Sequence, residues 1–290
     1  MHILITDSGV GGLSVVAYAD RFVRTHGFGE PVRLTFANAA PENDYGYNSM
    51  PTREGKLATF DRFLRNVTDR YQPDIIYVAC NTLSVLLPDT PYFVRAAIPV
   101  KGIVETGVAL LLGELESDAR SVALVFGTQT TIAAATYPRM LAERGIAPAR
   151  IISQACPGLA DTISEDREGA KTGNEIRMWV SRALEKLGDT SVPVVACLAC
   201  THYGYRKELF AEAFEEAGIR ATVVNPNESA VGDLFPDARN EAEHRVVEVG
   251  FVTRYAIPEA TIEALTWFLE GISPKTVAAM TNYQHVPDLF

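Results

Sequence analysis

The chain has no long hydrophobic run. Its longest apolar stretches, such as Val192–Cys200, fall far short of the roughly 20 residues that a membrane-spanning helix needs, so no membrane partner is expected. Positive charge is also in short supply: 26 Lys and Arg stand against 36 Asp and Glu, for a net charge of −10. That balance argues against a nucleic-acid partner. It leaves an anionic small molecule open, because backbone N–H groups at helix starts can bind a carboxylate locally. The opening MHILITDSG reads as a buried strand without a basic leader or a small-residue cleavage site, and a cytoplasmic location is expected. No Pro/Gly/Ser-rich linker and no low-complexity segment divides the 290 residues, and 47% hydrophobic against 21% charged residues excludes a disordered chain. Cysteine is scarce as well, with four residues, Cys80, Cys156, Cys197 and Cys200. The spacing of Cys197 and Cys200 invites a zinc or redox reading. A second ligand pair is missing, however, and Cys197 ends a strand instead of opening a helix. No metal and no cofactor is expected.

What is present is a regular alternation. Short β-branched runs at His2–Thr6, Val32–Ala37, Ile75–Ala79, Lys101–Val104, Val122–Phe126, Arg150–Ser153, Val192–Cys197 and Ala221–Val224 read as strands. Between them, helical periodicity runs through Leu13–Thr25, Arg53–Tyr71, Thr106–Leu115, Ile132–Glu143, Glu175–Leu187 and Lys207–Ala217. The pattern predicts an α/β fold with mainly parallel sheets flanked by helices. Ligands in such folds bind beyond the carboxyl ends of strands, and four of those ends carry unusual residues: Asp7-Ser8-Gly9-Val10-Gly11-Gly12, Cys80-Asn81-Thr82, Gly127-Thr128-Gln129-Thr130-Thr131 and Cys200-Thr201-His202. Each alone reads equally as an N-cap or a tight turn; four together favour a shared pocket. Tyr77–Thr82 also echoes Cys197–His202 about 120 residues later, each an apolar strand end followed by Ala, Cys and a polar pair. The echo suggests two similar lobes, each presenting one cysteine. Crossings are expected near Pro88–Pro91 or Ala97–Pro99 and after Tyr203, which gives a first lobe of 1–97 plus 208–290 and a second of 98–207.

A cysteine after a buried strand is ordinarily a small hydrophobe. Here Cys80 and Cys200 are each followed by hydrogen-bonding side chains and are each expected at a helix N-terminus, where thiolate is favoured. Inverting a carbon acid without a cofactor requires a base on one face and a proton donor on the other, and two thiol groups on facing lobes meet that requirement. Asp7 and His202 are the natural helpers, orienting substrate or tuning the thiols. Their plainer roles are a helix cap and a buried imidazole.

These stretches resemble those of the glutamate racemases. Asp7–Gly12, Ala79-Cys80-Asn81-Thr82 and Ala199-Cys200-Thr201-His202-Tyr203 are similar to the family's three signature segments, with further similarity at Tyr45-Gly46, Gly127-Thr128, Thr131-Ile132, Tyr137 and Cys156-Pro157, in the same order over roughly residues 1–255. The resemblance implies two α/β lobes with the active site in the cleft between them, and no pyridoxal phosphate or metal. It also implies catalytic cysteines at Cys80 and Cys200, with Asp7 and His202 assisting them. Substrate contacts are implied at Asp7, Ser8, Tyr45, Gly46, Asn81, Thr82, Thr128, Thr201 and His202. A glutamate after the family's Cys-Pro pair also contributes to catalysis, and the resemblance implies that role for Glu165, which lies about one residue off that place. A homodimer is implied, acting on an acidic amino acid and supplying D-glutamate for peptidoglycan.

The sequence departs from the family pattern in places. Asn38–Asp44 is one residue longer than usual, with Asp44 where a proline is expected. Leu83 replaces a small residue, Gly204 replaces a proline, and Val224–Glu228 stands where an Asp-Ser stretch is expected. Alternatives are a racemase of aspartate or of another related substrate such as a hydantoin, a decarboxylase, for which one cysteine suffices, and a catalytically weak relative with a binding or regulatory role.

Overall fold

A computed structural model describes residues 1–43, 45–236 and 245–290; the departure at Asp44 lies outside the described residues. The chain divides into two compact units, Met1–Ile103 with Asn227–Phe290, and Val104–Pro226. In the first unit, β1 (His2–Asp7) leads into α1 (Leu13–His26), β2 (Val32–Asn38), α2 (Arg53–Tyr71) and β3 (Ile75–Val78). The short helices α3 (Asn81–Ser84) and α4 (Pro91–Arg95) follow, then β4 (Val100–Gly102). Helix α5 (Ile103–Ser117) carries the chain into the second unit, where β5 (Val122–Gly127), α6 (Gln129–Ala133), α7 (Thr136–Glu143), β6 (Ile151–Ala155), α8 (Leu159–Glu165), α9 (Ala170–Leu187), β7 (Val194–Ala199), α10 (Lys207–Glu216) and β8 (Ala221–Val224) succeed one another. Helix α11 (Pro226–Leu234) returns the chain to the first unit, which closes with β9 (Val247–Thr253), α12 (Glu259–Leu269), α13 (Pro274–Thr281) and β10 (Gln284–His285).

Both sheets are parallel throughout. Their strand orders are β10-β9-β2-β1-β3-β4 and β6-β5-β7-β8. Counted within each unit, the first runs sixth, fifth, second, first, third, fourth and the second runs second, first, third, fourth, so in both the chain reverses its direction of travel across the sheet between the first strand and the third. Such a switch point opens a crevice at the strand carboxyl ends. In the first unit it lies between β1 and β3, and in the second between β5 and β7. Strands β5 and β7 are apolar along nearly their whole length and buried, and β1 is buried from Ile3 onward with an apolar centre at Ile3–Ile5, as expected where helices cover both faces of a parallel sheet.

The strands expected from periodicity are present within one or two residues at most ends, while β9 and β10 were not anticipated. β9 contains Glu248 and Gly250, which blunt its apolar pattern, and β10 spans two residues at the sheet edge. The helix expected over Ile132–Glu143 is two helices, because Ala135 adopts a left-handed conformation (φ 50°) that ends one and caps the next. The second crossing falls at residue 226 and not near 207, because β8 pairs with β7 and α10 packs on α9 and β8. No helix of the described residues is long and apolar enough to cross a membrane.

The core of the second unit centres on Phe126, fully buried between Phe210 and Phe214 at ring-centroid distances of 5.4 and 6.1 Å. Phe126→Ala removes this contact and leaves a cavity, and should cost about 3–5 kcal/mol. Equilibrium urea unfolding checks this; an unchanged midpoint would contradict the packing.

Candidate active site

The register of the parallel strands brings the first cluster together. Thr6 on β1 is level with Val78 on β3, and the Ala79 N–H donates to the Thr6 carbonyl at 2.9 Å. Two residues beyond that pair, just past the strand ends, Ser8 and Cys80 therefore leave the sheet side by side. Their Oγ and Sγ atoms share a hydrogen bond of 3.1 Å. The Ser8 hydroxyl also donates, over a long 3.5 Å, to Asp7 Oδ1. Asp7 is buried, and its Oδ2 accepts from the Gly12 N–H at 2.5 Å. That close approach explains Gly12: a Cβ there would lie 2.9 Å from the Asp7 Cβ. Cys80 caps α3, its sulfur accepting from the Leu83 N–H at 3.4 Å. Asn81 and Thr82, in the first turn of α3, are buried beside it.

The electrostatics of Cys80 differ from expectation. The helix start favours thiolate, but burial pushes the thiol well above its ordinary value, and the negative charge of Asp7 pushes it the same way. The hydrogen bonds from Ser8 and Leu83 oppose these effects without overcoming them. At neutral pH Cys80 is therefore a thiol. A thiol donates, so the chain runs from Cys80 S–H to Ser8 Oγ and from Ser8 O–H to Asp7 Oδ1, connecting sulfur to carboxylate through one hydroxyl.

The second unit repeats the arrangement. Gly127 on β5 is level with Ala199 on β7, so Thr128 and Cys200 leave their strands at the same level. Thr128 caps α6, its hydroxyl accepting from the Thr131 N–H at 3.3 Å and sharing a 3.0 Å hydrogen bond with the Thr131 hydroxyl. Cys200 and Thr201 are buried, and His202 is partly exposed. The expected helix N-terminus at Cys200 is absent: Cys200 enters a turn, with the Tyr203 N–H on its carbonyl at 3.1 Å, and a 3₁₀ helix over Tyr203–Arg206 precedes α10. Tyr203 is buried under Cys200, its hydroxyl donating to the Cys156 carbonyl at 3.1 Å. Cys156 and Cys197 are buried, and burial raises both thiols, Cys197 to about 12. No group of three or more His, Cys, Asp or Glu suited to a metal gathers among the described residues.

Two of the departures from the family pattern are one feature. A Cβ on Gly204 would lie 2.6 Å from Asn225 Nδ2 and 2.7 Å from its Oδ1, so the Asn225 amide occupies the space that a larger residue at 204 needs. Leu83 is buried in α3. Tyr45 is 42% exposed, next to Gly46 in the loop after β2, and Glu165 is exposed at the end of α8 with no hydrogen bond or ion pair among the described residues. The structure thus gathers Asp7, Ser8, Cys80, Asn81 and Thr82 at one switch point, and Thr128, Cys200, Thr201 and His202 at the other. Glu165 is not drawn into the second cluster by any bond. One buried residue of the loop after β2 is not among those the sequence singles out: Tyr47, which packs edge-on against Phe60 and whose hydroxyl has no hydrogen-bond partner among the described residues. No motif marks it.

No family model matches the chain. It is 30% identical over 255 residues to a glutamate racemase of Methylococcus capsulatus, covering 88% of this chain and 82% of that protein. It is 26% identical over 261 residues to a glutamate racemase of Nitratiruptor sp., covering 90% and 89%. Among solved structures, its fold is similar to that of a glutamate racemase from Francisella tularensis in complex with D-glutamate, with a TM-score of 0.73 at 20% identity over 99% of this chain and 98% of that one.

The Asp7 charge is one of the causes that keep Cys80 protonated, so Asp7→Asn should lower the thiol's pKa and raise its thiolate fraction. Cys80 should then react with iodoacetamide several-fold faster at pH 8 than in the parent protein, followed by mass mapping of its peptide. A slower reaction would show that Asp7 does not act on the thiol through its charge.

Proposed function

Because the chain belongs to the glutamate racemase family, we propose that it interconverts L- and D-glutamate without a cofactor, with Cys80 and Cys200 acting on opposite faces of the substrate Cα. The observation that carries the reading is the Ser8 hydroxyl held between the Cys80 sulfur and the Asp7 carboxylate. A thiol at rest is no base, and this chain is a route by which it becomes one. Cys80 passes its proton to Ser8 Oγ as Ser8 passes its own to Asp7 Oδ1, so one proton moves from sulfur to carboxylate. The Asp7 charge that disfavoured the thiolate disappears in the same step. The Cys80 thiolate then takes the α-proton, and the electron pair left on Cα spreads into the substrate α-carboxylate. The Cys200 thiol delivers its proton to the opposite face, leaving a thiolate that His202 is placed in sequence to reprotonate. Exchange with solvent resets Asp7 and Cys200, and the reverse reaction runs the same steps backwards.

The substrate carboxylates are held in this reading by backbone N–H groups and by Ser8, Asn81, Thr82, Thr128 and Thr201, with Tyr45 and Gly46 closing over the far end. Neutral donors of this kind suit a carbanion better than an arginine clamp placed on the ground state, because in a dry site they strengthen as charge develops. The enzyme acts as a cytoplasmic homodimer, and the D-glutamate formed feeds peptidoglycan synthesis.

Removing a general acid or base costs about 10²–10⁴-fold. Cys80→Ala and Cys200→Ala should each lower kcat for racemisation by that order in both directions, followed by circular dichroism of either glutamate enantiomer. Cys197→Ala, buried within β7, should remain within a few-fold of the parent. Near-native turnover by either of the first two variants rejects the two-thiol scheme.

A further inference from the structure

Ser14 carries a hydroxyl where α1 does not need one. The helix is capped by Gly12 without a side-chain bond, and Ser14 is its second residue. Ser14 is buried, at a place where alanine would be the better helix former. Its partners account for it. The Asn227 side-chain N–H donates to Ser14 Oγ at 2.9 Å, and the Ser14 hydroxyl donates to the Gly11 carbonyl at 3.0 Å. Asn227 is itself fully buried in the first turn of α11, within the stretch that departs from the family pattern.

These two bonds end on the peptide that binds Asp7. The Gly11 carbonyl and the Gly12 N–H belong to one planar trans unit, so they point in opposite directions and turn together. The carbonyl accepts from the Ser14 hydroxyl, and from the Ser14 N–H at 3.3 Å. The N–H donates to Asp7 Oδ2 at 2.5 Å. Three donations thus run in one direction: Asn227 to Ser14, Ser14 to the peptide, and the peptide to the carboxylate. Hydrogen bonds in such a series polarise one another. An aspartate carboxylate turns easily about its last torsion. With Oδ2 held by the Gly12 N–H, Oδ1 is left facing Ser8, 3.5 Å from its hydroxyl. A peptide between two glycines has no Cβ on either side to restrain it, so its carbonyl needs an anchor.

We propose that Ser14 and Asn227 are positioning residues for Asp7, orienting its carboxylate through the Gly11–Gly12 peptide so that Oδ1 faces the Ser8 hydroxyl. The inference rests on Asp7 receiving the Cys80 proton in the racemisation proposed above. Neither side chain holds substrate in that scheme, so the relay acts on the proton-transfer step and not on binding. Asn227 sets the direction of the relay: its N–H occupies the Ser14 oxygen and leaves the hydroxyl proton for the Gly11 carbonyl.

Gly11-Gly12 is the only Gly-Gly pair in the sequence, so glycine labelled with 13C at the carbonyl and 15N at the amide marks that single peptide for NMR. In full-length Ser14→Ala and Asn227→Leu the Gly12 amide proton should move upfield, as its bond to the carboxylate loosens. In each variant kcat for glutamate racemisation should fall about five- to tenfold, as expected from the loss of one neutral hydrogen bond. KM should hold, because the interaction serves the transition state and not the bound substrate. Combining the two substitutions should cost no more than Ser14→Ala alone, since Asn227 acts through Ser14. A resonance that stays in place in both variants would overturn the proposal. So would an unchanged kcat, a rise in KM alone, or losses that multiply in the double variant, as two independent packing defects would give. If Asn227→Leu does not fold, Asn227→Ala removes the same donor and carries the same predictions. A parent protein without racemase activity would reject the function proposed above, whereas the resonance tests the relay without substrate.

Discussion

The parallel register of the central strand pairs is the constraint on which the rest depends. Ser8 and Cys80 are 72 residues apart in sequence, and they meet because Thr6 pairs with Val78 and each lies two residues beyond that pair, just past the end of its strand. A slip of one residue in β3 would turn the thiol toward the opposite face of the sheet and break the contact. The same logic sets Thr128 level with Cys200 through Gly127 and Ala199. Both registers are locked by apolar strands buried on both faces, so the energy that fixes the thiols is the ordinary burial energy of the two cores. Because each thiol stands at a switch point, the backbone beyond it is free to turn into a ligand site without breaking the sheet.

That burial has an electrical consequence. The environment that holds Cys80 rigidly also holds it protonated, with desolvation as the largest cause and Asp7 adding to it. A neighbouring carboxylate looks like the wrong partner for a thiol that must ionise. It becomes the right one if it receives the proton, since the transfer removes its own charge. The Ser8 hydroxyl lies between the two groups, 3.1 Å from the sulfur and 3.5 Å from the carboxylate, and the Gly12 N–H on the other carboxylate oxygen holds Asp7 in place.

Much of the architecture was legible in the sequence because parallel sheets leave a strong local signature. The apolar runs of β1, β3, β5 and β7 are largely buried, and the residues following them stand out as a chemical series. Less legible was whatever depends on long-range packing. β9 pairs with β2 across more than 200 residues and carries Glu248 and Gly250 within it. The pairing of β8 with β7 decides where the second unit ends, and no composition change marks that point. The helix start at Cys80 suggested a thiolate, but the burial that outweighs it is a property of the folded chain. Gly204 and Asn225 are 21 residues apart, and only the folded chain puts the amide in the space that a side chain at 204 needs. Tyr47 left no trace, because a tyrosine in a loop is unremarkable until its hydroxyl is buried without a partner.

The central claim is that two different thiols serve the two faces of one carbon, and the isotope content of glutamate early in a reaction tests it most directly. Unlabelled L-glutamate is incubated with the enzyme in D2O, stopped within the first few per cent of turnover, and the two enantiomers are separated and weighed by mass spectrometry. With one thiol removing the proton and another delivering a solvent-derived one, the D-glutamate formed should carry deuterium at Cα from the start while the recovered L-glutamate remains unlabelled. Deuterium appearing in both enantiomers at comparable early rates, or D-glutamate that retains the original proton, would contradict the account.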